Sequence, residues 1–369
     1  MKTIHGEESY TLDTPELSLA VTERGGHLAP VVFHLAGRDV APYSLSPWLP
    51  AEHEDQPVLL SVLRGDFLCL PFGGQKQGPP HGDPSNAAWQ LVMVGDRSLV
   101  LVQDAADSGA HIEKHLSVCA GQHAIRIEHR ISRLQGAYSY GTHPILDLSH
   151  LPQGTGRIST SPMRWLSTFP GFFAVPEAGE TQSLKPDTRF NDLREVPLAD
   201  GGTVDLSRWP ALPGNEELVM MVNEPLSEAQ PFAWSAMVMD GYVWYCLKDP
   251  ADFPATLLWM SNGGRSQAPW NSRHTGRIGI EEVCSHFSNG VDISRQSPLA
   301  AEGIPTVRHF EADKTVSLKV IQAVAAVPEG FDRVASIVPA GDHAVKITAE
   351  SGVSLTAALD WKFLAEPKK

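Results

Sequence analysis

Excess positive charge, paired cysteines, long apolar runs and phosphate-cradling loops are all missing from this sequence, and each absence removes a class of protein. Lys and Arg number 29 against 43 Asp and Glu, for a net charge of −14. Nucleic acids and anionic membranes are bound by Lys and Arg in excess, so neither is an expected partner. The four cysteines, Cys69, Cys119, Cys246 and Cys284, are widely spaced and form no Cys-x-x-Cys pair. That argues against a disulfide framework or a zinc ribbon and reads as small buried hydrophobes in a reducing compartment. No run of about 18 apolar residues exists to cross a membrane, and Met1-Lys2-Thr3-Ile4-His5-Gly6-Glu7-Glu8 lacks the apolar core of a signal peptide. The expected location is therefore cytoplasmic. Phe72-Gly73-Gly74-Gln75-Lys76 does not have P-loop spacing, and no Gly-x-Ser-x-Gly elbow occurs.

Helical patterning is scarce as well. The 31 Gly and 29 Pro are spread along 369 residues and leave few windows in which a 3.6-residue apolar period could persist. What remains is a succession of short apolar runs separated by turn residues, the mark of an all-β chain. Trp89–Val94 and Ser98–Gln103 read as one hairpin, and His111–Val118 and His123–Ile131 as a second. Pro231–Met239 and Tyr242–Leu247 flank Asp240-Gly241, two residues that tolerate positive φ. Leu99–Val102 and Val243–Leu247 are apolar without alternation, as in strands covered on both faces of a large sandwich. Residues 154–213 read as long loops with short strands, and Thr315–Val327 as one more long strand. Gly290–Pro305 is the stretch most like a linker, with a polar tail after Phe363; the expectation is one domain over residues 1–369, a large antiparallel β-sandwich.

Three segments carry reactive side chains. In Arg64-Gly65-Asp66-Phe67-Leu68-Cys69-Leu70-Pro71-Phe72-Gly73, followed by His81-Gly82 and Trp89, the proline and glycines interrupt a strand, so Arg64 and His81 are expected on a loop rim. In Gly141-Thr142-His143-Pro144, the proline biases His143 to an extended backbone, and a histidine can exchange a proton near neutral pH. In Arg277-Ile278-Gly279-Ile280-Glu281-Glu282, strand alternation sends the two carboxylates to opposite faces. Glu281 shares its face with Gly279, which leaves room for a ligand. Each segment taken alone also fits an ordinary structural role: an Arg ion pair, a backbone-bonded histidine, surface carboxylates. His111, His115, His123 and His129 lie on neighbouring hairpin strands, but no carboxylate–histidine spacing makes them a metal site.

In order and separation, these segments resemble the aldose 1-epimerase (galactose mutarotase-like) family. The Arg64–Gly73 segment resembles the family's Arg-Gly, Phe-Pro element, His81-Gly82 with Trp89 its His-Gly…Trp element, and Thr142-His143-Pro144 its Thr-His-Pro motif. Leu257-Leu258-Trp259 and Ile278-Gly279-Ile280-Glu281 resemble the aromatic strand and the glutamate strand that follows it. After His81-Gly82 the sequence runs Asp83-Pro84-Ser85-Asn86 rather than to the family's aromatic and arginine, which disfavours a phosphorylated substrate.

The resemblance implies a galactose mutarotase-like supersandwich that interconverts α and β anomers of an aldose without cofactor or metal. His143 and Glu281 would be the acid–base pair, meeting at the ends of packed strands. Arg64, His81 and Asp205 would hold sugar hydroxyls and Trp259 would stack on the ring. A monosaccharide or sugar derivative is the implied ligand. Two alternatives stay open: a non-catalytic carbohydrate-binding protein, and a glycoside hydrolase or lyase on the same sandwich.

Overall fold

The computed structural model describes residues 1–366 and is built almost wholly of antiparallel strands; residues 367–369, the end of the expected polar tail, lie outside the described residues. A nine-stranded sheet runs Arg208–Trp209, Gly156–Thr160, Ala233–Val238, Tyr242–Lys248, Val316–Ala326, Ala124–Ser132, His111–Ser117, Ser98–Asp104 and Gln90–Gly95. All three expected hairpins are neighbours in it. The long Val316–Ala326 strand sits near its middle, paired on both sides.

An eight-stranded sheet runs Arg189–Phe190, Met163–Thr168, Glu216–Asn223, Ala255–Ser261, Arg277–Cys284, Tyr140–Thr142 and Leu68–Cys69, with Ile145–Asp147 also paired to Arg277–Cys284. Residues 1–40 form a five-stranded meander, and Val334–Pro339, Ala344–Ala349 and Ser354–Ala358 a three-stranded one.

Alternation along the strands shows what covers each face. In Tyr242–Lys248, Trp244 and Cys246 join the main core between the sheets. Val243, Tyr245 and Leu247 instead pack with Ile337, Val345 and Ile347 of the three-stranded sheet. The unbroken apolar run is therefore explained by two covered faces. In the eight-stranded sheet, Leu258, Met260, Ile278 and Ile280 point into the main core, whereas Leu257, Trp259, Leu218 and Met220 point outward into a third apolar cluster with Trp48, Phe67 and Trp270. That outer face carries the site.

Gly290–Pro305 is no linker. It forms a helix over Gly290–Arg295 and a 3₁₀ turn over Pro298–Glu302, with Leu299 and Ile304 buried in the third cluster. No helix among the described residues is long and apolar enough to cross a membrane.

Candidate active site

Register brings His143 and Glu281 together. The Arg277–Cys284 strand pairs with two short strands on the same side: Gly141 lies opposite Val283 and Ile145 opposite Gly279. Both ladders keep one register, so between them His143 falls opposite Glu281, on the same face. The ladder opens at Thr142-His143-Pro144, with the Ile280 amide donating to the Pro144 carbonyl at 2.9 Å. The His143 amide is held from the other side, donating to Asp66 Oδ1 at 2.8 Å and to the Phe67 carbonyl at 3.1 Å. His143 Nε2 consequently stands 3.2 Å from Glu281 Oε1.

The two meet on the outer face of the eight-stranded sheet, not at strand ends. A cavity of about 190 Å³ lies there, lined by His81, His143, Trp259, Arg265, Trp270 and Glu281 together with Leu60, Phe67, Phe173 and other apolar residues. This is below the ~300–1,000 Å³ usual for drug-sized ligands and limits the site to a small molecule. Gly279 is part of the design. A Cβ there would come within 2.6 Å of Glu281 Oε1 and 3.3 Å of Trp259, so the space expected for a ligand is already filled by the carboxylate and the indole.

The imidazole of His143 is boxed in by rings. Phe67 stacks on it at 4.6 Å, with His27 stacked beyond Phe67 at 4.3 Å, and His81 and Trp259 meet it edge-on at 5.2 and 5.6 Å. Its Nδ1 has no hydrogen-bond partner among the described residues. Burial drives His143 well below the usual histidine range, helped by the neighbouring His81, and drives Glu281 well above the usual carboxylate range. Both shifts disfavour charge. Arg265 and Glu282 act on Glu281 in opposite senses, the guanidinium lowering it and the carboxylate raising it.

The remaining expected site residues divide. His81 lines the cavity from a left-handed turn at φ 61°. Its Nδ1 accepts from the Gly73 amide at 3.3 Å, which leaves the proton on Nε2 as a donor. Burial lowers its pKa to about 3, so it is neutral at ordinary pH. Trp259 also lines the cavity, but His274 already stacks on it at 5.4 Å and 16°.

Arg64 does not reach the site. It is fully buried, and its Nε, Nη1 and Nη2 donate to the carbonyls of Val62, Ile4 and His5 at 3.0, 2.9 and 3.1 Å. It pins the first turn of the chain rather than a sugar. The next residue, Gly65, sits at φ 48° with the Leu28 carbonyl oxygen 1.9 Å from where a Cβ would be, so only glycine fits. Asp205 is also misplaced. It is half-exposed, accepts from Ser207 and pairs with Arg208, away from the cavity lining.

Three residues that sequence reasoning passed over belong to this corner. Arg265 lies over Trp270 at 4.7 Å. Glu216, opposite Ser261 in the sheet, accepts from Trp259 Nε1 at 3.0 Å and Ser261 Oγ at 2.7 Å. His274 Nδ1 lies 2.7 Å from the same Ser261 hydroxyl. Among the described residues no group of three or more His, Cys, Asp or Glu is arranged to hold a metal ion.

Burial, opposed mainly by Arg265, raises Glu216 to about 7 from 4.5. A carboxyl raised by folding holds its proton more tightly folded than unfolded. Its stabilising contribution is complete below about pH 4.5 and disappears as pH rises through about 7. Glu216→Gln should therefore flatten the fall in unfolding free energy between pH 5 and 8, by up to about 3 kcal/mol. Urea titrations of both proteins at the two pH values check this; equal slopes would refute it.

A β-supersandwich with this arrangement of sheets has the galactose mutarotase-like fold. No protein-family model matches the sequence, and no curated protein matches it either. Solved structures do. A galactose mutarotase related enzyme from Lactobacillus acidophilus is similar with a TM-score of 0.57 at 12% identity, over 86% of this chain and 98% of that one. A galactose mutarotase-like protein from Clostridium acetobutylicum gives 0.57 at 10% identity, over 88% and 97%. An aldose epimerase homologue from C. elegans gives 0.54 at 12% identity, over 87% and 100%.

Proposed function

We propose that this chain is an aldose 1-epimerase-like enzyme that interconverts the α and β anomers of a monosaccharide. The observation that carries the reading is His143 Nε2 facing Glu281 Oε1 at 3.2 Å in a small, aromatic-lined cavity. Both partners are pushed toward neutrality, so a carboxylic acid beside a neutral imidazole and a carboxylate beside an imidazolium hold the same single proton. Reversible ring opening needs such a pair, one member ready to accept as the other donates.

Once the shared proton has passed across the 3.2 Å contact to His143, the Glu281 carboxylate takes the proton from the anomeric hydroxyl while His143 delivers its own to the ring oxygen. The C1–O5 bond breaks and C1 becomes an aldehyde. Rotation about C1–C2 presents its other face, and closure runs the same transfers backwards, so the pair ends as it began. His81 Nε2–H would hold a sugar hydroxyl, and Phe67, stacked at 4.6 Å, steadies the His143 ring. Neither a cofactor nor a metal is needed for these transfers.

Hydrolysis is the less favoured alternative for a specific reason. Glycosidases ordinarily use two carboxylates about 5–9.5 Å apart across the scissile bond, and Glu281 is the one carboxylate in the described lining. A binding-only role predicts affinity without turnover. The test is anomer exchange followed by polarimetry or NMR on a panel of aldoses and sugar acids. A clear acceleration over the buffer rate is expected for at least one sugar. Tight binding without acceleration of any would make the chain a sugar-binding protein, and new reducing ends from an oligosaccharide would make it a hydrolase.

A further inference from the structure

Arg265 is the part of the cavity that ring opening leaves without a task. It is the single Lys or Arg in the described lining. Aromatic rings surround its guanidinium, with Trp270 at 4.7 Å, Phe173 at 5.3 Å and Trp259 at 5.5 Å. None of its side-chain N–H groups hydrogen-bonds a described residue, and its nearest carboxylate oxygen, on Glu216, is 3.7 Å away, beyond hydrogen-bond reach.

A guanidinium offers five N–H donors in a planar fork. At 23% side-chain exposure the guanidinium donors face the cavity and take their acceptors from whatever fills it, water or a ligand. Its neighbours do not cancel it. Burial raises Glu216 to about 7 and raises Glu281 as well, so neither carboxyl is a permanent counter-charge. The rings around Arg265 hold the fork in place, so little freedom is lost when a planar anion docks.

We propose that the sugar taken by this site carries a carboxylate, making it a uronic acid, and that the Arg265 guanidinium grips that carboxylate while the anomeric centre faces His143 and Glu281. The proposal rests on the epimerase reading for the second half of the statement and not for the first. A carboxylate is favoured over a phosphate by charge. One fixed cation balances one negative charge, whereas a phosphate monoester brings about −1.5 to −2. His81, lowered to about 3, adds no positive charge. A planar carboxylate also matches the guanidinium fork through two parallel hydrogen bonds.

The experiment compares glucuronate and galacturonate with glucose and galactose and with their 6-phosphates. Anomer exchange is read by NMR and binding by calorimetry, on the full chain and on Arg265→Gln and Arg265→Lys. The wild type should turn over a uronate more efficiently than its parent hexose by roughly tenfold or more in kcat/KM, as expected for a charge-assisted bidentate contact. That ratio should fall to about one in Arg265→Gln and stay partly elevated in Arg265→Lys. A ratio within one preparation does not depend on how much of a variant folds.

Equal or better turnover of the neutral hexose by the wild type would overturn the inference and leave the epimerase reading standing. A preference for a 6-phosphate over the uronate would also overturn it. Selective uronate binding that Arg265→Gln abolishes, with no exchange of any sugar, would uphold the acid site and sink the epimerase reading instead.

Discussion

Glu281→Gln and His143→Ala should each slow anomer exchange by ~10²–10⁴-fold, the usual contribution of a positioned proton-transfer group. The amide introduced by Glu281→Gln would be nearly isosteric with the carboxyl and could still contact His143 Nε2, but it cannot take a proton from the anomeric hydroxyl. His143→Ala removes the donor to the ring oxygen and leaves a void beside Phe67, which stacks on the imidazole at 4.6 Å. Because one proton is passed within the pair, the losses should not multiply. The double variant should be little slower than the slower single one, as for residues that act as a unit.

The pH profile should be bell-shaped for the same reason, falling on the acid side as the pair gains a second proton and on the alkaline side as it loses its only one. NMR saturation transfer on whichever sugar proves active gives the rates, and circular dichroism checks that each variant is folded. Wild-type rates in both single variants would remove the pair from the mechanism.

Strand identities were legible in the sequence because the signals are local. Asp240-Gly241 sets a two-residue turn, and Pro and Gly punctuate the rest. The opposed faces of Glu281 and Glu282 also followed from alternation alone. The meeting of His143 with Glu281 was reachable only through resemblance, since cross-strand register between segments far apart in the chain leaves no local trace.

Arg64 shows the opposite failure. Next to a glycine and a proline-bent loop, an arginine satisfied by backbone carbonyls reads the same as one waiting for a ligand. Asp205 is the same case: nothing in Val204-Asp205-Leu206 signals that its carboxylate is engaged by Ser207 and Arg208. Arg265 and His274 were missed because residues 262–276 look like an ordinary polar loop. Their one usable sign is position: the loop joins the Trp259 strand to the Glu281 strand, and loops between two site-bearing strands lie over the site. Glu216 was hidden inside an apolar strand, where its burial depends on Trp259 and Ser261 across the sheet.

The largest stability effect should come from the far side of the same strand. Glu282 points into the main core and meets Lys248 of the nine-stranded sheet, and both side chains are fully buried. The pair ties the two sheets together through their shared interior. Ser235 Oγ donates to Glu282 Oε1 at 2.7 Å and Thr256 Oγ1 to Oε2 at 2.8 Å, while Lys248 Nζ also donates to Thr256 Oγ1 at 2.5 Å. Burial lowers the Lys248 pKa, and Glu282 opposes that shift.

Removing one partner leaves a buried charge without its counter-ion, so Lys248→Met should cost about 3–5 kcal/mol, a large fraction of the stability of a typical domain. Removing both should not. The double variant Lys248→Met, Glu282→Leu should return to within about 1 kcal/mol of wild type or exceed it, since apolar replacement of a buried pair is often neutral or better. Urea unfolding of the four proteins in this cycle measures the coupling. If the double variant is as unstable as the single one, the hydrogen bond from Ser235 to Glu282 across the sheets, lost with the carboxylate, and not the charge pair, accounts for the loss. Anomer exchange in the same double variant then shows whether the interior charge of Glu282, which raises Glu281 from the other face of the strand, sets the proton affinity of the pair or only the stability of the sheet that carries it.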